Sequence, residues 1–469
     1  MKKYFVILTI LAFGLISCEE QLNRVPDDTL IRDTAYQNVD DIATGVVGIY
    51  TGLDYTWQAD LNAIFTDNTK IGFDTGGQKV ATFNIQLDPQ INSFGIWINQ
   101  YNTANDANRI IEAAAGIEVS SEDQQRLDNL LAQCYLIRAF AHMELLVYYG
   151  EDLLDPSSLG VPYQLTVETN AEPPRLTVGE TLAQINEDIS TAENLFSSDF
   201  DEVFRVNPDY ARFLRVRLAL YTGDYPSVIS LSNPLINNYP LADQAQYANM
   251  FNGDTDQTEV IYSYDNQVGA NFNNIATEFR FGNGGSFIGM SNELYNILLE
   301  ESESNNDIRF DVNLAPDSRI ELNELKIHKY PFGGSGFIND FKAARISEVY
   351  LMRAEAFARQ SDFQEAANAV QAVRNARRDA TDSAPAYSNL VEAISDIAFE
   401  RRLELCYEGH RYVDLKRFRN ILNEGMTRDP LDCPGSIPCG LSVNDRRWTF
   451  PIPLEELNGN ANMVQNPEW

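Results

Sequence analysis

Apolar residues recur three and four positions apart through most of this 469-residue chain, and several such runs open on a residue suited to capping a helix N-terminus. A chain patterned this way buries its apolar stripes by packing helix on helix, so the spacing predicts a mainly α fold. Thr177 and Glu180 stand in capping-box register ahead of Leu182, Ile185, Ile189, Ala192 and Leu195, one stripe of one helix. Asn207 and Pro208 supply a cap and a proline at the first helical position, opening a helix that runs to about Tyr221. Ser361 and Gln364 repeat the capping-box spacing ahead of Ala366, Ala367, Val370 and Val373. Stretches 41–53, 96–115 and 122–149 carry the same periodicity, and Trp57 and Trp97 read as core residues.

Two segments share a finer order of helix, Gly or Ser, Asp, aromatic, helix. One spans 212–231 with Gly223-Asp224-Tyr225 at its turn, and the other spans 348–377 with Ser361-Asp362-Phe363. Small Ala residues at the crossing and an aromatic at the turn fit a tetratricopeptide-like helical hairpin, whose faces are buried only by stacked neighbours. In 264–286 and 330–339, Asn, Gly and aromatics replace the helical pattern, and 259–264 reads as a short strand. The expected fold is mainly α: tetratricopeptide-like hairpins form a scaffold that bears irregular loop-rich insertions and a few short strands. Its expected parts are an N-terminal helical region over 18–260, a loop-rich insertion over 261–340 and a C-terminal region over 341–469.

At the N-terminus Lys2 and Lys3 precede an apolar stretch from Tyr4 to Ile16, too short for a stable membrane span, so residues 1–17 read as an export signal. Leu15-Ile16-Ser17-Cys18 resembles a bacterial lipobox, which makes Cys18 the acylated first residue of a mature chain of about 450 residues. Glu19-Glu20 resembles the tag of surface-directed lipoproteins of Bacteroidetes. The formal charge of -33 excludes a nucleic-acid partner, because phosphate binding needs clustered Lys and Arg. It also leaves the acyl chains as the contact with membrane and tilts any saccharide ligand toward a neutral one. Cys134 and Cys406 lie in apolar helical patterns as small core residues. Cys433 and Cys439, six apart in an exported chain, are a candidate disulfide, and no nearby His or Cys would complete a zinc site.

Enzyme chemistry finds little support. The three His, at 142, 328 and 410, are far apart and form no HExxH pattern, and no Gly-x-Ser-x-Gly occurs. The Gly-rich stretches 282–285 and 333–336 lack the Lys-Ser/Thr of a phosphate loop and read as turns. Paired carboxylates carry no information among 68 acidic residues. Neither a catalytic residue, a cofactor nor a metal is expected.

Several stretches together resemble the SusD/RagB family of outer-membrane nutrient-binding lipoproteins. They are Leu136-Ile-Arg-Ala-Phe-Ala-His-Met-Glu-Leu-Leu-Val-Tyr-Tyr-Gly150 with Val161-Pro162, Glu348-Val-Tyr-Leu-Met-Arg-Ala-Glu-Ala-Phe-Ala-Arg359, the block from Glu400 to Arg417, Pro451-Ile-Pro453 and Gln465-Asn-Pro467. Their order behind a lipobox makes the resemblance specific over nearly the whole mature chain. It implies a lipid-anchored protein of the outer membrane facing the medium, which binds an oligosaccharide or polysaccharide and delivers it, as a lid, to a SusC-like TonB-dependent transporter. In the Glu400–Arg417 block itself, Arg401–Glu404, Glu408–Arg411, Arg411–Asp414 and Asp414–Arg417 stand at helical spacing, and we expect a structural charge network there with a packed His410.

A sugar needs aromatic faces for its rings and amide or carboxylate groups for its hydroxyls. Two loop-rich surfaces offer both. The first carries Asp67, Asn68, Phe73, Asp74, Lys79, Phe83 and Asn84; the second carries Tyr264, Asp265, Asn266, Asn271, Phe272, Asn273, Asn274, Arg280 and Phe281. A scaffold whose grooves bind another protein's peptide is the alternative, and a surface glycoside hydrolase stands behind it.

Overall fold

The computed structural model describes residues 35–53, 55–90, 95–168, 170–266, 279, 285–331, 339–379 and 382–469. Residues 1–17 and Cys18 lie outside these. Helix α1 (Val39–Gly52) is capped by Asn38, whose side chain accepts from the Asp40 and Asp41 amides. It packs on α2 (Ile96–Ala114) and α3 (Gln124–Tyr149), and α3 packs in turn on α4 (Val178–Leu195). Nearly every α3 residue from Ala132 to Tyr149 is buried, so this helix, apolar enough for a membrane span by composition, is the central post of the N-terminal half. Its polar residues are satisfied inside. Arg138 makes a two-pronged pair with Asp188 of α4 (Nε–Oδ2 2.7 Å, Nη2–Oδ1 2.6 Å). Burial pushes the His142 imidazole down to about 3, and the neutral ring donates from Nδ1 to the Arg138 carbonyl and accepts the Gln164 amide.

The two repeat segments fold as hairpins. Helices α5 (Pro208–Tyr221) and α6 (Tyr225–Asn238) reverse through Thr222–Asp224; α7 (Gln244–Asn252) and α8 (Asn292–Asn305) follow, and then α9 (Ile346–Arg359) and α10 (Phe363–Arg377) reverse through Gln360–Asp362. The hairpins stack through α6 against α9. Gly223 and Ser361 occupy equivalent left-handed positions, φ 78° and 65°. That geometry corrects one expectation. Thr177 and Glu180 do form a capping box, but Ser361 is turned into the reversal, and the cap of α10 is Asp362, which accepts the Glu365 amide. Trp57 and Trp97 are core residues, and Cys134 and Cys406 are buried free thiols.

Among the described residues three two-stranded antiparallel ladders lie on this frame: β1 (Thr69–Ile71) with β3 (Ile288–Met290), β2 (Val260–Tyr264) with β4 (Phe341–Arg345), and β5 (Met426–Thr427) with β6 (Gly440–Leu441). A second, smaller apolar cluster fills the C-terminal end, where Leu351 and Ala354 of α9 and Val370 and Val373 of α10 meet Ile394 and Ile397 of α11 (Leu390–Leu405).

The charged block corrects a second expectation. The chain does not stay helical from Glu400 to Arg417. It leaves α11 after Leu405, bends at Tyr407 (φ 66°) and Gly409 (φ 91°), and starts α12 at Arg411 (Arg411–Leu422). Residues three apart across the bend therefore do not face each other. Of the four local pairs, Asp414–Arg417 forms (3.4 Å), while Glu404, Glu408 and Arg411 reach distant elements. Arg345, ending β4, bonds Glu259 (2.8 Å), Glu404 (2.9 Å) and both oxygens of Glu408 (2.7 Å each). Arg377, ending α10, joins the same Glu259 and Glu404, and Arg309 holds Asp307 and Glu400. Lys329 completes Glu408 at 2.6 Å. These groups are nearly or wholly excluded from solvent. Burial alone would raise the Glu404 carboxyl, but the Arg377 and Arg345 guanidiniums outweigh it and hold it well below the usual range. His410 is buried in the bend, 3.7 Å from Glu348, and burial with Arg217 and Arg401 nearby keeps it neutral.

Removing one partner of such a node strands the others in a dry interior. Glu404→Ala is expected to lower unfolding free energy by about 3–5 kcal/mol in denaturant titration. Arg126→Ala, which breaks the half-exposed pair with Asp40, should leave the midpoint nearly unchanged.

Candidate functional site

The β1–β3 ladder joins the first of the loop regions singled out in the sequence to the chain that follows the loop-rich stretch 264–286. Thr69, Lys70 and Ile71 face Met290, Gly289 and Ile288, and pairing continues beyond the strands, with the Gly72 amide donating to Phe287 (2.8 Å) and the Asp74 amide to Ser286 (3.3 Å). Gly72 permits that approach. A Cβ there would lie 2.4 Å from the Ser286 carbonyl oxygen and 2.6 Å from the Phe287 carbonyl carbon, both backbone atoms that can move only by opening the ladder. A third segment adds to the same edge, with the Met290 amide donating to Leu325 and Gly289 bridging Lys326.

Of the first surface, part is structural. Asp67 is buried and takes Arg411 in two-pronged fashion (2.8 and 2.7 Å), with Arg402 at 3.6 Å. Burial would raise its carboxyl, but Arg402 and Arg411 hold it well below the usual carboxylate range. Asn68, fully buried, accepts from Arg402 Nε at 2.9 Å. Phe83, also buried, lies under the Arg428 guanidinium, 3.8 Å from its ring centre. Arg428 donates to the carbonyls of Ile64, Phe65, Thr66, Phe83 and Pro438, so it ties 64–83 to the loop closed by the Cys433–Cys439 disulfide (Cα–Cα 5.4 Å). Asn84 is half-buried. What faces solvent is Phe73, 70% exposed, with Asp74 beside it and a half-buried Lys79 in the left-handed region (φ 61°).

The described part of the second surface is likewise committed to the fold. Tyr264 donates its hydroxyl to the Leu53 (2.7 Å) and Tyr50 (3.1 Å) carbonyls, with its ring 5.0 Å from that of Tyr55. Asn266 bonds Asp340 and Asn339 (3.0 and 2.7 Å), and Asp265 is exposed. Asn271, Phe272, Asn273, Asn274, Arg280 and Phe281 lie outside the described residues.

Residues that sequence reasoning missed complete the patch. Arg319 stacks over Phe73 (5.4 Å) and pairs with Glu324, closing a turn that leaves Ile320 and Leu322 exposed. Leu431, 71% exposed, projects from the segment that leads into the disulfide-closed loop. Beneath them Lys70 donates to Asn323 (2.5 Å) and Asn292 (3.5 Å), and Asn292 bonds Asp432 (2.5 Å). Burial lowers the Lys70 ammonium to about 8. Four of the eleven exposed large apolar side chains among the described residues therefore gather around one ladder, a concentration that single scattered surface residues would not give. The only signal in the sequence was Asn323, a residue type suited to the left-handed turn it makes (φ 55°).

Comparison with known proteins bears on the whole chain. The SusD family profile matches residues 333–469, and a profile described as starch-binding associating with outer membrane matches 26–212. The chain belongs to the SusD/RagB family. A SusD-like protein of Formosa agariphila is 21% identical, over 98% of this chain and 97% of its own. Among solved structures, a putative sugar-binding protein of Bacteroides vulgatus superposes with a TM-score of 0.77 at 22% identity, covering 93% of this chain and all of its own. A laminarin-binding SusD-like protein superposes at 0.70, with 18% identity over 92% of this chain and all of the other. The SusD/RagB fold thus holds the exposed Phe73 on the edge of a charged frame.

The Asp67 pair makes that edge acid-sensitive. An unfolded aspartate titrates near pH 3.9, and the folded value is lower, so its contribution is complete above that pH and is lost as pH falls through the folded value. Between about pH 4 and pH 2, stability of the wild-type chain is expected to fall more steeply than that of Asp67→Asn, as measured by unfolding at each pH.

Proposed function

We propose that this SusD/RagB chain is a cell-surface glycan-binding lipoprotein, anchored through Cys18, that captures oligosaccharide and hands it to a SusC-like TonB-dependent outer-membrane transporter without performing chemistry. The observation that carries the reading is Phe73. A phenyl ring 70% exposed, braced from one side by Arg319 and set just past the β1–β3 ladder, gives the apolar face of a sugar ring a place to lie. Exposed Asp74, next to it in the chain, and exposed Glu321, on the turn that Arg319 closes, supply carboxylate acceptors for hydroxyls. Family membership and the laminarin-binding relative support a saccharide as the occupant, and the lipobox at Cys18 supports the anchor.

Affinity electrophoresis of the mature chain against a panel of polysaccharides is expected to show retardation by at least one glycan, with no release of reducing sugar. Phe73→Ala should weaken that binding about tenfold, or about 1.4 kcal/mol, without moving the melting temperature. Equal affinity in the variant would remove Phe73 from the site, and sugar release would make the chain an enzyme. In the native cell envelope, Cys18→Ser is expected to leave the membrane fraction, and the wild-type protein to co-purify with a large β-barrel.

A further inference from the structure

Resting on that reading, we infer that the glycan taken at the Phe73 surface is neutral, and that uronic or sulfated glycans are refused there. A carboxylate or sulfate on a sugar is bound by Lys or Arg whose charge is still available, and a charge-assisted pair of that kind dominates recognition. The described cations of this surface are already committed. Arg319 is paired with Glu324 and lies over Phe73. Lys326 is shared between Asp317 (3.0 Å) and Glu324 (3.5 Å). Lys70 is buried under the patch with its ammonium on Asn323 and Asn292. Lys79 is half-buried and has a partner.

The acids are not balanced in the same way. Asp74 and Glu321 are exposed, and Asp317 keeps half its side-chain surface in water while holding Lys326. An anionic sugar entering the patch therefore meets exposed carboxylates, in a protein whose formal charge is already -33. A neutral sugar meets the same groups as an apolar ring and a set of acceptors, for which its hydroxyls are suitable donors. The charge pattern that repels one class serves the other.

The test is isothermal titration of the mature wild-type chain and of Phe73→Ala with two sets of polysaccharides. One set is neutral (laminarin, starch, xylan, mannan) and the other acidic (polygalacturonate, alginate, a sulfated galactan). Each titration is run at about 10 mM and about 1 M salt, where the screening length is about 30 Å and about 3 Å. The expected result is binding by a neutral glycan, changed less than about twofold by salt and weakened about tenfold by Phe73→Ala, with no acidic glycan bound at about 10 mM salt, where repulsion is unscreened. Capture of an acidic glycan that weakens with salt and with Phe73→Ala overturns the neutral assignment and leaves glycan binding standing. Neutral binding untouched by Phe73→Ala overturns the assignment to this surface. Failure of every member of both sets overturns this inference together with the glycan-binding reading beneath it.

Discussion

The fold turns on the salt-bridged node where Arg345 and Arg377 share Glu259 and Glu404. Each of these residues comes from a different place. Glu259 precedes β2, Arg345 closes β4, Arg377 closes α10 and Glu404 lies at the end of α11, so one cluster of charges holds a strand ladder, a helical hairpin and the following helix in a single arrangement. Apolar packing alone would allow helices of similar shape to slide by a turn or to exchange neighbours. A buried carboxylate has one set of guanidinium positions that satisfies it, and every slipped arrangement leaves it unpaired. The cluster therefore specifies geometry more than it adds net stability.

That node explains which parts of the chain could be read in advance. Helices with caps such as Asn38, Thr177 and Asn207 depend on local chemistry, and the starts at Thr177 and Asn207 were visible. The hairpin turns were visible for the same reason, since Gly223 and Ser361 are each followed by an Asp and an aromatic. The charges of 400–417 are structural, as their pattern suggests, but their partners differ from the local ones. The bend separates Glu408 from Arg411, while Arg401, Glu404 and Arg411 stand at helical spacing from a local partner and are drawn instead to Asp414, to Arg345 and Arg377, and to Asp67. Tyr407 and Gly409 interrupt the helix with left-handed geometry, and partners at Arg345 and Arg377 are brought in by long-range packing that no local pattern encodes.

The site was legible in part. Asp67, Asn68, Phe83, Tyr264 and Asn266 have the right chemistry for sugar, and the fold uses that chemistry internally. Phe73 and Asp74 carry the same composition but emerge because Gly72 lets the chain run close along Ser286 and Phe287 and then turn outward. Exposure is a property of the ladder, whose two strands are far apart in the chain. Arg319, Ile320, Leu322 and Leu431 were missed because nothing in their own neighbourhoods marks them as neighbours of Phe73.

Arg428 gives this edge an unusual tolerance. Its guanidinium is spent on carbonyl oxygens of Ile64, Phe65, Thr66, Phe83 and Pro438, and every amino acid supplies a carbonyl. At these points the segment that carries Phe73 is thus moored by backbone atoms, in addition to the side-chain ties that Asp67, Asn68 and Phe83 make. Substitution of the exposed residues between the moorings, Phe73 and Asp74 among them, can rewrite the chemistry presented to solvent while the rope stays tied, so a chain moored this way can change its ligand without first having to refold.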